Sequence, residues 1–130
     1  MDWKNYIEEI FEEMFPILTK YNVENNKKML IICKEKRYVM LKYCGTEYKV
    51  KCHINDEFDW EIGFGLALSR LYEKTEDYKF AKKYFTNDNG ELDYKEYAKW
   101  CIYENYPNLS DYVKLKEKVK EINGNGKVDL

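Results

Sequence analysis

Apolar residues recur three and four positions apart at the start of the chain: Trp3, Ile7, Ile10, Phe11, Met14 and Leu18. That spacing predicts an amphipathic helix with Glu8, Glu9, Glu12 and Glu13 toward solvent, Asp2 as its cap and Pro16 ending or kinking it near Met14. After a polar loop the period changes from helical to alternating. Three strands are predicted, Met29–Cys33, Arg37–Tyr43 and Glu47–His53. A turn at Glu35–Lys36 sets Ile32 against Val39 and Leu30 against Leu41. A Gly-X turn at Gly45–Thr46 sets Tyr43 against Tyr48, Leu41 against Val50 and Val39 against Cys52. Both turns put the apolar residues on one face of the meander, with Lys42, Lys49 and Lys51 on the other.

The apolar face needs a cover. The stretch Trp60–Glu73 supplies it, with Asp59 as N-cap, Phe58 packing back on the helix, and Ile62, Phe64, Leu66, Leu68 and Leu71 spread around much of its circumference. Gly63, Gly65 and Ala67 lower its helix propensity and are tolerated where the helix presses closely on a neighbour. Thr75 is the expected cap of the next helix. Asp93 is the expected cap of another, with Glu96 reciprocating and Tyr94, Tyr97, Ala98, Cys101 and Ile102 facing inward. Beyond Pro107, Ser110 is read as the cap of a last helix with Tyr112, Leu115, Val119 and Ile122 inside; the tail from Asn123 frays or turns. The expected architecture is α+β, a single domain over residues 1–130: an N-terminal helix, a three-stranded antiparallel meander packed on a buried helix, and a helical C-terminal half.

Composition adds constraints. With 13 Tyr, 6 Phe and 3 Trp the chain is expected to be folded throughout. No apolar run reaches the length of a membrane span, and the acidic N-terminus is unlike a signal peptide, so no membrane association and a cytoplasmic location are expected. The four cysteines contain no C-x-x-C pair, and reduced thiols are the default. The net charge of −2 is uneven: residues 24–53 are basic, and residues 1–20, 54–62 and 86–112 are acidic. Such segregation suits a polar docking surface, although solubility alone accounts for any one patch.

Candidate chemistry is sparse. Residues 52–61 hold His53, Asp56, Glu57, Asp59 and Glu61. Capping explains Asp59 and Glu61, which leaves His53, Asp56 and Glu57 as candidate partner-binding residues. No G-x-S-x-G, P-loop or H-E-x-x-H motif is present, and a lone His makes no triad, so no catalytic residue is assigned and no enzyme is expected. Around the Asp93-capped helix, Glu91, Lys95, Lys99 and Trp100 are further partner-binding candidates; Trp100 falls off the inner face and is either an interface anchor or part of a second core layer. Lys42, Lys49 and Lys51, with Lys34, Lys36 and Arg37 at the hairpin and Tyr38 and Tyr43 beside them, form a candidate nucleic-acid face.

Residues 85–96 resemble an EF-hand calcium loop. Asn87, Asn89, Asp93 and Glu96 are candidate ligands, Gly90 stands at the sharp turn and Leu92 at the apolar position, but Phe85 occupies the first ligand position. A second partial loop runs from Glu121 through Asn123, Asn125, Gly126 and Val128 without a closing Glu. Capped turns are the expectation over calcium sites, and no cofactor is expected.

The segment 48–71 resembles a motif of small phage and prophage proteins of Gram-positive bacteria, carried by Cys52, His53, Asp56, Phe58, Asp59, Gly63, Ala67, Arg70 and Leu71, with Ile54 where a proline is expected. The resemblance implies a strand–turn–helix unit in a mobile-element accessory protein. It implies a non-enzymatic inhibitor of a host defence component, anti-CRISPR-like, whose partner is a host protein such as a CRISPR effector. The alternatives are an EF-hand-like calcium module and a nucleotide-sequestering or nucleic-acid-binding accessory protein.

Overall fold

Alternation in the β-rich segment and capped helical periods after it produce the elements of the structure, a computed structural model that describes residues 28–122 and 124–130. The helix expected near the N-terminus lies outside the described residues. In chain order the elements are β1 (Met29–Cys33), β2 (Tyr38–Tyr43), β3 (Thr46–Lys51), α1 (Trp60–Tyr72), α2 (Glu76–Tyr84), α3 (Tyr94–Asn105), α4 (Leu109–Lys120) and β4 (Gly126–Asp129). The class is α+β, as the sequence indicates.

The first hairpin has the expected register, Ile32 opposite Val39 and Leu30 opposite Leu41. The second is displaced by two residues: Tyr43 faces Thr46, Leu41 faces Tyr48 and Val39 faces Val50. Its loop is Cys44–Gly45 rather than Gly45–Thr46. Both loop residues take positive φ, 53° and 74°, the combination whose twist matches that of the flanking strands. Because side chains alternate with period two, a two-residue slip changes every partner and no face. Leu41 and Val50 are therefore buried as expected, and Lys49 is exposed. Strand β2 starts one residue later than expected because Arg37 adopts φ 59° in the turn. The ladder ends at Lys51, after which the Cys52 amide still donates to the Arg37 carbonyl at 2.7 Å.

The tail corrects the expected meander. Instead of fraying, Gly126–Asp129 pairs antiparallel with β1, Val128 opposite Leu30, and gives a four-stranded sheet of order β3-β2-β1-β4. Val128 completes the apolar face of Leu30, Ile32, Val39, Leu41 and Val50.

Helix α1 lies between that face and α3. A Cβ at Gly63 would sit 2.6 Å from Val39 Cγ2, and one at Gly65 would sit 2.5 Å from the Ala98 carbonyl oxygen. The two glycines are thus contact points on opposite sides of one helix, and Phe64 between them is fully buried. Tyr97, Cys101 and Ile102 of α3 and Tyr112, Leu115 and Val119 of α4 complete the core.

Capping follows the sequence in part. Asp59 accepts the Glu61 amide at 2.9 Å, and Asp93 accepts the Glu96 amide at 3.2 Å. Glu96 does not reciprocate, because its side chain pairs with Lys99 at 3.3 Å and the Asp93 amide donates to the Phe85 carbonyl. The Thr75 hydroxyl donates back to the Tyr72 carbonyl at 2.7 Å and makes no cap. Asn108, not Ser110, caps α4, accepting the Ser110 amide at 3.0 Å. Tyr94 is exposed, since it opens the first turn of α3 ahead of the buried stripe.

No disulfide joins the four cysteines. Cys101 has no exposed surface, and burial pushes its thiol up to about 12. At pH 8 the thiol is therefore protonated and unreactive. Iodoacetamide at that pH should label the exposed Cys44 first and leave Cys101 intact until denaturant is added. Intact-mass analysis with peptide mapping reads the order, and equal rates for the two residues would contradict the burial.

Candidate functional site

The connection from β3 to α1 is an exposed loop held from beneath by one side chain. Arg37 occupies the β1–β2 turn and reaches across to residues 52–56. Its guanidinium donates to the His53 carbonyl at 3.2 Å and to the Asp56 carbonyl, and lies 3.4 Å from Cys52 Sγ. Within the loop the Asp56 amide donates to the His53 carbonyl at 3.0 Å, and His53 Nδ1 accepts the Asn55 amide at 3.3 Å. Backbone contacts thus fix the shape while the Asp56 and Glu57 side chains remain in solvent, without an ion-pair partner among the described residues. Ile54, two residues before Asp56, is 80% exposed, the largest value among the large hydrophobic residues described.

Most residues of the 52–71 motif have a structural task. Asp59 caps α1, Gly63 admits Val39, Ala67 is in the core, and the Arg70 guanidinium donates to the Lys49 carbonyl, tying α1 to β3. The Asp56 carboxylate is the motif group that these contacts leave unused.

Arg37→Asn tests the clamp. Asparagine tolerates the left-handed backbone of the turn but is too short to reach Asp56. It should cost about 1.5–3 kcal/mol, the range for hydrogen bonds from a charged donor. Amide exchange should accelerate at Asp56 more than at Val39. Unchanged exchange in the loop would show that Arg37 does not organise it.

The other candidates do not assemble into one site. Lys95 and Lys99 line a cleft of about 270 Å³ between α1, α3 and α4, together with Lys116 and Tyr112. In it the Tyr112 hydroxyl donates to Glu61, and Lys116 lies 3.6 Å from the same carboxylate. Burial, reinforced by that carboxylate, pushes the Tyr112 hydroxyl well up, so it remains a donor. Trp100 points elsewhere: it stacks on Tyr97 at 6.5 Å and meets Tyr78 of α2 edge-on at 5.0 Å, half-buried. Glu91 lines a separate hollow beside Thr86 and Asn87.

The lysine face of the sheet is partly occupied by its own side chains. Lys42 pairs with Glu47 at 3.2 Å, and Lys49 Nζ lies 4.2 Å over the Tyr38 ring. Lys51 stands opposite Tyr38 on β3.

The loop that resembles an EF-hand is a tight turn closed on Asn87. Its Oδ1 accepts the amides of Asn89 and Glu91 at 3.0 and 2.9 Å, with Gly90 at φ 79° and a bridge from Thr86 to Leu92. Asp93 and Glu96 are engaged in the cap and in the Lys99 pair. Gly126 and Val128 of the second partial loop are drawn into β4, and Asn125 Oδ1 accepts the Glu35 amide at 3.3 Å, so the two segments pair with different neighbours. Among the described residues no group of three His, Cys, Asp or Glu converges to hold a metal. Among the same residues no helix is long and apolar enough to cross a membrane.

Sequence reasoning missed Arg37 as the organiser of the loop, and the Glu61–Tyr112–Lys116 cluster that joins residues far apart in the chain. Neither leaves a local signal, since each depends on which elements become neighbours. No protein-family model, curated protein or solved structure matches this chain.

Proposed function

We propose that this protein is a non-enzymatic, phage-type binding protein that inhibits a host defence component, with a CRISPR effector as the candidate target, and that residues 53–57 are its contact. The observation that carries this reading is the Arg37-clamped loop, which holds an exposed Ile54 beside the carboxylates of Asp56 and Glu57. A loop already fixed in shape loses little conformational freedom on docking. One exposed apolar side chain followed by two exposed carboxylates combines an anchor with electrostatic selection of the partner. The likeness of residues 52–71 to phage and prophage proteins supports the biological setting.

The test is plaque formation by a CRISPR-targeted phage on a host expressing the chain, alongside capture of the effector by the purified protein. Wild type should restore plaques and retain the effector. Ile54→Asp, or Asp56→Lys combined with Glu57→Lys, should abolish both without moving the melting temperature. Failure of the wild-type protein both to restore plaques and to retain any of several effector types would sink the proposal.

A further inference from the structure

Helix α2 presents a second surface, unrelated to the 53–57 loop. Its sequence EDYKFAKKY buries Tyr78 and Ala81 against the core and leaves the rest of the helix outside. On that outer side Phe80 is 72% exposed and Tyr84 is 74% exposed. They are four residues apart and therefore neighbours on the helix surface. Lys79 and Lys83 repeat the same spacing one position earlier, and Lys82 adjoins them. Phe80 and the three lysines border a shallow hollow of about 650 Å³ that continues to Thr86 and Asn87. The acidic residue on its rim is Glu76, which lies 3.8 Å from Lys79 and offsets part of that charge.

The Tyr84 ring meets Phe85 edge-on at 5.2 Å, and packing explains nothing further of this arrangement. The helix dipole favours Lys82 and Lys83 in the last turn, and Glu76 and Asp77 in the first turn offset part of the charge, but the exposed aromatic rings beside the lysines lower solubility unless a ligand covers them. A chain of net charge −2 has no general need for a basic patch here. Aromatic rings interleaved with lysines match an unpaired nucleic acid strand, whose bases offer flat apolar faces and whose backbone offers regularly spaced phosphates.

We infer that the outer face of α2 binds single-stranded nucleic acid, with bases stacking on Phe80 and Tyr84 and phosphates meeting Lys79, Lys82 and Lys83. Binding is independent of base identity, because stacking accepts any base and the Thr86 hydroxyl and Asn87 Oδ1 beside the hollow are engaged within the protein. This surface is separate from the lysine face of the sheet, where Lys42 and Lys49 already have partners within the protein.

Fluorescence anisotropy with labelled oligothymidylate and oligouridylate, titrated with the full chain at several salt concentrations, tests the assignment. Wild type should bind both oligonucleotides. Phe80→Ala and Tyr84→Ala should each weaken binding by about tenfold, in the range of a lost base stack, with melting temperature unchanged because both rings are exposed. Phe80→Trp should bind at least as tightly as wild type. Lys82→Ala and Lys83→Ala should each reduce the slope of log affinity against log salt by about 0.7. Lys49→Ala should leave the titration unaltered. The assignment is overturned if low-salt titration shows no binding, if Lys49→Ala removes binding while the aromatic variants keep it, or if only vesicles containing anionic phospholipid bind the wild-type patch.

Discussion

Replacing Phe64 by alanine should destabilise the protein by about 3–5 kcal/mol in urea denaturation monitored by circular dichroism. The side chain has no exposed surface and sits where the sheet, α1 and α3 converge, with Trp60 and Tyr106 rings at 6.3 and 5.9 Å. The glycines on either side bring neighbouring elements so close that little room remains for the cavity to collapse. Poor relaxation places a large-to-small substitution at the costly end of its range. Phe64→Leu should fall between wild type and alanine, which keeps the measurement interpretable if the alanine variant fails to fold. A loss below about 1 kcal/mol for Phe64→Ala would mean that the three layers are not packed on this ring.

The second expectation reverses a propensity rule. In an ordinary helix, glycine to alanine gains about 1 kcal/mol. Gly65→Ala should instead lose about 1–3 kcal/mol, because the new methyl would lie 2.5 Å from the Ala98 carbonyl oxygen and 2.7 Å from the Ala98 Cβ. Backbone cannot rotate away as a side chain can, so α1 and α3 must separate. Ala98→Gly in the same background should recover part of the loss and not all of it, since the carbonyl remains. A melting temperature raised by Gly65→Ala would refute the close crossing. Gly63→Ala meets Val39, a side chain, and its partner substitution Val39→Ala should relieve more of the clash.

These two positions also show what the sequence revealed. Glycines inside an otherwise apolar helix predicted close approach to a neighbour, and both supply one. The alternation in residues 29–51 predicted the inward face correctly, because that depends only on odd and even positions. It misjudged the second hairpin by two residues, because the choice between two adjacent turns rests on whether Cys44 accepts a left-handed conformation. Tertiary pairing was less legible. Asn123–Leu130 reads as polar tail, and pairing with the edge of β1 makes a strand of Gly126–Asp129. The candidate site was legible as residue types, His53, Asp56 and Glu57, and not as geometry. The side chain that shapes their loop, Arg37, comes from a different turn. Lys95, Lys99 and Trp100 are close in sequence, yet helical rotation directs Trp100 toward α2 and the lysines toward α4.

The pairing of β4 with β1 has a consequence for biogenesis. The strand MLIIC is the most apolar in the sheet, and one of its edges is paired by residues 126–129. Local hairpins form within microseconds, whereas a contact between segments this far apart waits for the intervening helices. On the ribosome the β1–β2–β3 ribbon therefore emerges long before its fourth strand, with Met29–Cys33 as an open edge able to pair with another chain. The period between emergence of β3 and arrival of Val128 is when this protein is most exposed to aggregation. Slowing translation through the helical half should lengthen that period and lower the soluble yield.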